Sequence, residues 1–222
     1  MEIDFINQVH NSTKRDYISR VNDKEYPKHI AAEIAKKYDF EYWDGDRRIC
    51  YGGYKYIPGR WEPVARAFIK HYKLNNESSI LDIGCGKGFL LYEIKKLLPN
   101  ANVRGIDISQ YALNNSKPEI KPFLKRSSAT EIPFPDASFD FVYSITTLHN
   151  LYCNELFQSL KEINRLTKKD SYICVESYRN EIEKANLLYW QVTCEAFNTP
   201  EEWLWWFNLS KYIGDYSFIY FA

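Results

Sequence analysis

Ser79-Ile80-Leu81-Asp82-Ile83-Gly84-Cys85-Gly86-Lys87-Gly88-Phe89 is the stretch that decides the fold of this chain. An apolar run of Ile and Leu leads into three glycines on alternate positions, which indicates a buried parallel strand followed by a tight turn. Glycine reaches backbone conformations with positive φ and lets a ligand approach the main chain closely. Residues 89–98 then show helical spacing, and Pro99 ends that helix. Together these elements predict the front of a nucleotide-binding βαβ unit.

The spacing of the glycines separates two kinds of nucleotide site. Dinucleotide enzymes use the pattern G-x-G-x-x-G, and Phe89 stands where its third glycine should be, which disfavours a nicotinamide oxidoreductase. Asp82, two residues before Gly84, suits a ligand with an ammonium group better than a pyrophosphate. Asp107 follows a second apolar run about twenty residues later, where an acid accepts hydrogen bonds from ribose hydroxyls. Its alternative role is to cap a helix that begins near Ser109.

The D-x-G-x-G-x-G arrangement resembles the first motif of the class I S-adenosylmethionine-dependent methyltransferases. Asp107 and the segment 128–140 follow in that family's order, and the resemblance covers residues 60 to about 178. It implies an α/β fold, with a Rossmann-like, doubly wound, mostly parallel sheet of six or seven strands. It also implies a methyltransferase that uses S-adenosyl-L-methionine as its cofactor.

The resemblance further assigns parts of the cofactor to residues. Asp82 suits the ammonium group, the backbone amides of residues 84–88 the carboxylate, and Asp107 the ribose. Ser128 and Ala129 suit the adenine, although the family commonly carries Asp at the position of Ser128. The cofactor-binding residues that we predict are Asp82, Gly84, Cys85, Gly86, Gly88, Asp107, Ile108, Ser128, Ala129 and Ser144.

Three side chains are candidates for a catalytic base, which is needed only if the methyl acceptor must lose a proton. His149 follows the fourth predicted strand and has an ordinary pKa near neutrality; in many relatives a similarly placed His mainly packs and hydrogen-bonds. Glu176 ends the fifth strand, where an ion pair with Arg179 or Lys184 is the alternative. Tyr54 belongs to an aromatic-rich loop. We predict no metal site.

The chain divides by composition into two parts. Residues 1–60 predict an N-terminal helical and aromatic lid segment, and residues 61–222 a cofactor-binding methyltransferase domain. The aromatic residues of the first part suit either a hydrophobic cover on the core or a flap over cofactor and acceptor, and both can hold. Residues 215–221 predict a final strand, whereas the family usually ends in two antiparallel strands.

The composition of the chain limits the classes of binding partner that we expect. The formal net charge is +0, so no nucleic-acid or membrane-surface footprint is indicated. The five cysteines are dispersed and form no C-x-x-C pair, which argues against a disulfide framework and a structural zinc site. We therefore expect a cytoplasmic protein with a small-molecule acceptor, no nucleic-acid partner and no membrane insertion. Its oligomeric state stays open between monomer and homodimer.

The predicted function is methyl transfer to a small molecule, and a hydroxyl of a sugar, lipid or secondary metabolite is the hypothesis for the acceptor. The alternative is a non-catalytic methyltransferase-like protein that binds the cofactor or scaffolds a partner. A large exposed patch over residues 203–206, which include three tryptophans, would support the alternative.

Overall fold

The structure is a computed structural model in which residues 1–10 and 16–222 are described. The helices are α1 (Asn7–His10), α2 (Tyr17–Val21), α3 (Lys28–Ala35), α4 (Phe40–Trp43), α5 (Glu62–His71), α6 (Phe89–Leu97), α7 (Gln110–Asn114), α8 (Cys153–Leu166), α9 (Glu181–Trp190) and α10 (Pro200–Leu209). The strands are β1 (Ser79–Ile83), β2 (Asn102–Asp107), β3 (Leu124–Arg126), β4 (Phe139–Ile145), β5 (Thr167–Glu176) and β6 (Asp215–Ile219). None of the described helices is long and apolar enough to cross a bilayer.

The six strands form one parallel sheet in the order β3-β2-β1-β4-β5-β6. This order confirms the predicted Rossmann-like, doubly wound α/β fold. The direction of winding reverses between β1 and β4, so the connections that leave these two strands diverge and open a crevice at their carboxyl ends. β6 pairs parallel to β5, so in the described residues the sheet does not end in the antiparallel pair usual for the family.

Alternate residues of each strand enter opposite layers of the core, because successive side chains of a strand point to opposite faces. In β1, Ile80 packs into one hydrophobic cluster, while Leu81 and Ile83 pack into the other. In β4, Phe141 and Tyr143 join the cluster of Ile80. The sheet is therefore covered on both faces, and this explains why its strands read as nearly continuous apolar runs.

The C-terminal helix α10 packs one side, with Trp203 and Phe207, into the core. Thr199 and Glu202 form the capping box that its sequence predicts. Trp203 is fully buried, and its indole N–H donates to the carbonyl of Glu176 at 3.0 Å. Trp205 is exposed, but the burial of Trp203 breaks the continuous tryptophan patch that would have indicated a scaffold.

Residues 26–54 of the N-terminal segment pack against the carboxyl end of the sheet through a third cluster. Residues of α3 and α4, including Ala35 and Trp43, meet Ala112 of α7 and Val192 in this cluster. Ile6 and Val9 instead join the cluster of Ile80, and Glu2 forms an isolated parallel bridge with Tyr216 of β6. α3 begins at Lys28, with Pro27 as its N-cap. The role of the N-terminal segment, residues 1–60, as a lid separate from the methyltransferase domain stays a prediction.

A buried ion pair fixes this segment to the glycine turn. Lys87 lies in the turn, is 4% exposed, and donates to both carboxylate oxygens of Asp44 at 2.8 and 2.6 Å. The hydroxyl of Tyr111 and the backbone amide of Tyr54 also donate to Asp44. Burial would raise the pKa of Asp44, but Lys87 and Tyr111 outweigh it and lower that pKa. The carboxylate therefore stays charged opposite Lys87.

Asp44→Asn tests how strongly this pair holds the segment. Removing one partner of a buried pair leaves an uncompensated charge, which typically costs about 3–5 kcal/mol. We expect about 3 kcal/mol here, because the Asp44 side chain keeps 21% of its exposure. Urea unfolding measures the loss, and limited proteolysis shows whether the N-terminal segment loosens first.

Arg66→Gln is the matched control. Arg66 pairs with Glu62 at 2.6 Å, but its side chain is 63% exposed, so its loss should cost only about 0–1 kcal/mol. Equal losses of stability in the two variants would show that the Asp44–Lys87 pair has no special structural weight.

Candidate active site

The glycine turn after β1 depends on left-handed backbone conformations. Gly84, Gly86 and Gly88 have φ values of +77°, +55° and +70°, which side chains rarely allow. A Cβ on Gly86 would lie 2.8 Å from the Cη2 atom of Trp43. Glycine is therefore required at Gly86 both for its conformation and for the close approach of the indole ring.

The amides of the turn are used within the fold. Gly84 and Cys85 donate to the carbonyl of Ile106 at 2.8 and 2.9 Å, and Gly88 donates to Cys85. We expected these amides to face the carboxylate of a ligand. Instead they connect the turn to β2 and close it, because a buried amide needs a partner in the protein itself.

Asp107 clamps this turn from the end of β2. One carboxylate oxygen accepts from the Gly86 amide at 2.7 Å, and the other accepts from the Ser109 amide at 2.8 Å. Burial raises the pKa of Asp107, and these two backbone hydrogen bonds oppose the rise. We gave capping of the helix that begins near Ser109 as the alternative role of Asp107. The side chain that caps α7 is that of Ser109, and Asp107 contributes by accepting from the Ser109 amide. Each carboxylate oxygen of Asp107 has a second lone pair for a ligand hydroxyl.

Asp82 lies inside the crevice beside β4. It is 5% exposed, and Tyr143, its neighbour in the sheet, donates its hydroxyl to one carboxylate oxygen at 3.0 Å. Burial raises the pKa of Asp82 to about 8, with the Tyr143 hydrogen bond opposing and nearby Asp107 adding to the rise. A buried acid held in this way favours a cation, because a positive charge would stabilise its ionised form.

These residues line a cavity of about 430 Å³, the first cavity. Asp82 and Asp107 lie in its wall, as do seven others: Gly84, Cys85, Gly86, Ile108, Ser127, Ser128 and Ala129. All of these but Ser127 were predicted. The predicted residues Gly88 and Ser144 do not line it. A Cβ on Gly88 would point towards Leu124 and Ile120, and the hydroxyl of Ser144 donates to the carbonyl of Ile83.

The first cavity is acidic. Four acids, Asp82, Asp107, Glu155 and Glu195, line it together with one base, Lys36. Lys36 pairs with Glu195, so the remaining charge is negative. The chemistry of such a wall suits a sulfonium and an ammonium group. Asp107 and the partly exposed loop 127–129 line the same cavity and suit an adenosine. The residues present therefore match the chemistry of S-adenosylmethionine.

A second cavity of about 400 Å³ adjoins the first. The two share an aromatic wall that we call the common wall, made of Tyr42, Tyr51, Tyr54, Trp61 and Phe89, and they also share residues from the end of β4. His149 and Glu176 line the second cavity and not the first. All three predicted catalytic candidates therefore line the second cavity.

His149 is held as a neutral ring against Glu176. Its Nδ1 accepts from the Glu176 amide at 3.4 Å, so the ring proton is assigned to Nε2, which lies 3.4 Å from Glu176 Oε2. Burial lowers the pKa of His149 to about 3. The ring is thus uncharged near neutral pH and a weak base. Its carbonyl accepts from the amides of Glu195 and Ala196, which gives His149 a structural role as well.

Tyr54 is a poor base for a different reason. Its ring stacks on Phe89 and contacts Trp43 and Tyr51, with centroids 5.3, 5.3 and 4.8 Å away. Burial raises the pKa of Tyr54 to about 12. Its hydroxyl therefore stays protonated at neutral pH and acts as a hydrogen-bond donor or as part of the wall.

Several site residues were not predicted from the sequence. Trp43, Lys87 and Gln191 each depend on a partner distant in the chain: Gly86, Asp44 and Glu176, respectively. Lys87 stood inside the quoted turn without an assigned role, and that was the one available indication.

Comparisons with known proteins point to the same segment. A family model described as a methyltransferase domain matches residues 81–175. Demethylmenaquinone methyltransferase of Symbiobacterium thermophilum is 29% identical over 145 residues, which are 60% of this chain and 57% of that protein. The Lysinibacillus sphaericus protein of the same name is 30% identical over 120 residues, 51% of this chain and 50% of that protein. The chain thus spans about half the length of these relatives.

Solved structures agree on the fold. The [4+2]-cyclase SpnF superposes with a TM-score of 0.56 at 15% identity, covering 81% of this chain and 72% of that one. At this identity the likeness concerns the fold alone. The matching architecture therefore does not by itself specify the reaction.

Asp82→Asn tests the cation site. Because the folded-state pKa of about 8 lies above the ordinary value of 3.8, ionised Asp82 destabilises the ligand-free protein, increasingly as pH rises from about 4 to about 8. The variant should therefore melt at a higher temperature than the wild type at pH 9. It should also bind S-adenosylmethionine more weakly by roughly 1.5–3 kcal/mol, the worth of a charged hydrogen bond. Calorimetry measures both quantities.

Asp140→Asn is the control with the opposite sign. Asp140 lies near the start of β4 and is partly buried. Burial would raise its pKa, but hydrogen bonds from Ser79 and the ion pair with Lys169 lower that pKa to about 2. Its ionised form stabilises the fold above pH 4, so this variant should melt lower at pH 9 with cofactor affinity kept. A lower melting temperature for Asp82→Asn at pH 9 would contradict the cation-site assignment.

Proposed function

We propose that this chain, a class I S-adenosylmethionine-dependent methyltransferase by the family match and the relatives described above, methylates a hydroxyl group of a small molecule. The observation that supports this proposal most is the pair of adjoining cavities that share the residues of the common wall. The first has the charge and the glycine turn for the cofactor. The second has space and a buried carboxylate for an acceptor.

In this proposal the first cavity holds the cofactor. Asp82 binds its ammonium group and Asp107 its ribose, while Ser128, Ala129 and Ile108 lie beside the adenine. S-adenosylmethionine, when bound, supplies a methyl group that is electrophilic because it is attached to a sulfonium. The acidic residues of the cavity stabilise that positive charge and Trp43 covers the turn, so water is kept away from the reacting group.

Glu176 is the residue that we assign as general base. It lies at the carboxyl end of β5, is 5% exposed, and lines the second cavity only. Gln191 donates to its Oε1 at 2.5 Å and His149 faces its Oε2, so two neighbours orient the carboxylate. A hydroxyl acceptor must lose its proton as it gains the methyl group, and a carboxylate in this cavity can take that proton. His149 then acts as a positioning residue.

A small acceptor is favoured over a macromolecule by the enclosure of the site. Residues of the N-terminal segment, such as Tyr42 and Trp43, are nearly buried over the crevice. The relatives described above are named for demethylmenaquinone, which is a small molecule. A cytoplasmic location is part of the proposal, and the five cysteines, all free thiols, suit a reducing compartment.

Transfer of labelled methyl groups tests this function. Purified protein and methyl-labelled S-adenosylmethionine are incubated with the small-molecule, RNA and protein fractions of an extract from the source organism. We expect label in the small-molecule fraction, and mass spectrometry should locate it on oxygen. Label in the RNA or protein fraction would overturn the acceptor class. Cofactor binding without any transfer would favour the non-catalytic alternative.

Glu176→Gln and His149→Gln separate base from positioning residue. Loss of a general base typically lowers kcat by 10²–10⁴-fold, so Glu176→Gln should lose that much while its affinity for S-adenosylmethionine is kept. His149→Gln should lose less activity. It should also remove part of the acid sensitivity, since a buried His with a folded pKa of about 3 destabilises the wild type as pH falls from about 6.5. A larger loss of kcat in His149→Gln would reverse the assignment.

A further inference from the structure

The two cavities carry opposite charge. Among residues 1–10 and 16–222, four acids and one base line the first cavity, whereas three bases, Arg47, Lys55 and Arg60, and one acid, Glu176, line the second. A cationic cofactor does not need the second group of charges. They line the cavity where the acceptor is proposed to bind, so they bear on the chemistry of the acceptor.

The three bases belong to the solvent-exposed part of the lining of the second cavity, and the acid belongs to its buried part. Arg47, Lys55 and Arg60 are exposed, while Glu176 is buried. All three bases come from the N-terminal segment, between α4 and α5. An acceptor that enters this cavity thus passes a basic rim before it reaches the carboxylate.

The guanidinium group of Arg47 already contacts other residues of the protein. Its guanidinium lies over the ring of Trp190, 5.3 Å from the centroid, and donates to the carbonyl of Cys50. Arg60 donates to the carbonyl of Val9 at 3.3 Å, a long bond that uses one of its five N–H groups. It also lies close enough to Tyr54 to oppose the rise in the pKa of that phenol. Lys55 and Arg60 are therefore the rim charges best placed for a ligand.

The lining of the second cavity has an apolar part, beside polar residues such as Asn150, Gln191 and Thr193. Ile6, Val192 and Ile219 are buried there, and Trp61 and Phe89 add aromatic faces. Such a lining recognises a planar or aliphatic body by shape and apolar contact. The lining of the second cavity thus combines apolar residues, a buried acid and a cationic rim of exposed bases.

We propose that the second cavity selects an acceptor with an apolar, ring-sized body and an anionic substituent, which Lys55 and Arg60 bind at the rim. This inference rests on the proposed function, because it takes the second cavity as the acceptor site. The anionic group and the methyl-accepting hydroxyl lie at different ends of the molecule. Binding of the first to the rim orients the second towards the common wall and Glu176. Carboxylate and phosphate share the required charge.

A matched set of naphthalene probes tests the charge requirement. 6-Hydroxy-2-naphthoate and 6-hydroxy-2-naphthamide have nearly the same shape and differ in charge, and 2-naphthyl phosphate presents phosphate instead. Their affinities for the wild-type protein saturated with S-adenosylmethionine are measured by titration of probe fluorescence. We expect the naphthoate to bind about tenfold more tightly than the amide, and the preference to weaken with salt because the rim charges are exposed. The phosphate arm shows which anion is preferred.

The variant Lys55→Gln/Arg60→Gln connects the preference to the rim. It should bind the naphthoate and the amide with nearly equal affinity and should keep its affinity for S-adenosylmethionine and its melting temperature. Arg66→Gln, which removes an exposed charge outside both cavities, should keep the preference. Equal binding of the two probes by the wild type, a preference that survives in the double variant, or binding of no probe overturns the inference.

The outcomes distinguish this inference from the proposed function. Rim-dependent binding of the naphthoate without methyl transfer to any fraction would keep the anion site and reject the enzyme activity. Methyl transfer to neutral hydroxyl compounds, with no preference for the anionic probe, would keep the activity and reject the anion site.

Discussion

The buried pair between Lys87 and Asp44 is the interaction on which the site depends most. A lysine inside the glycine turn has little contact with water. The cost of burying its charge is offset by the Asp44 carboxylate of the N-terminal segment, with the ring of Tyr111 also near the ammonium group. That carboxylate also accepts from the Tyr54 amide. The aromatic residues around Tyr54 are thereby held against the turn, and the crevice becomes two cavities with a common wall.

Asp82 and Asp140 lie in neighbouring strands of one sheet, and their ionised forms affect the stability of the fold in opposite directions. Asp140, towards the amino end of β4, is satisfied by Ser79 and Lys169, and its pKa is lowered to about 2. Asp82, nearer the carboxyl end of β1, keeps a single described hydrogen bond, from Tyr143, and burial raises its pKa to about 8. The first arrangement stabilises the fold. The second is costly without a cation nearby, as expected where parallel strands open on a ligand.

The electrostatic division between the cavities follows from which part of the chain forms each wall. The acids of the first cavity come mainly from the ends of strands and from segments that follow them, whereas the bases of the second come from the loops before α5. Rigid strands hold the groups that need fixed geometry. Exposed loop residues hold charges that act over longer distances and tolerate variation.

Local spacing was enough to predict the strand, glycine turn and helix around Gly84, because strand periodicity and glycine conformations depend on near neighbours in the chain. The resemblance to a known family added the sheet and the placement of Asp82 and Asp107 in the crevice. The state of His149, the engagement of the turn amides, and the common wall were decided only by tertiary structure. Each depends on contacts between segments far apart in sequence, such as Trp43 with Gly86 and Gln191 with Glu176. Burial and charge pairing arise from those contacts, and no pattern within a single segment encodes them.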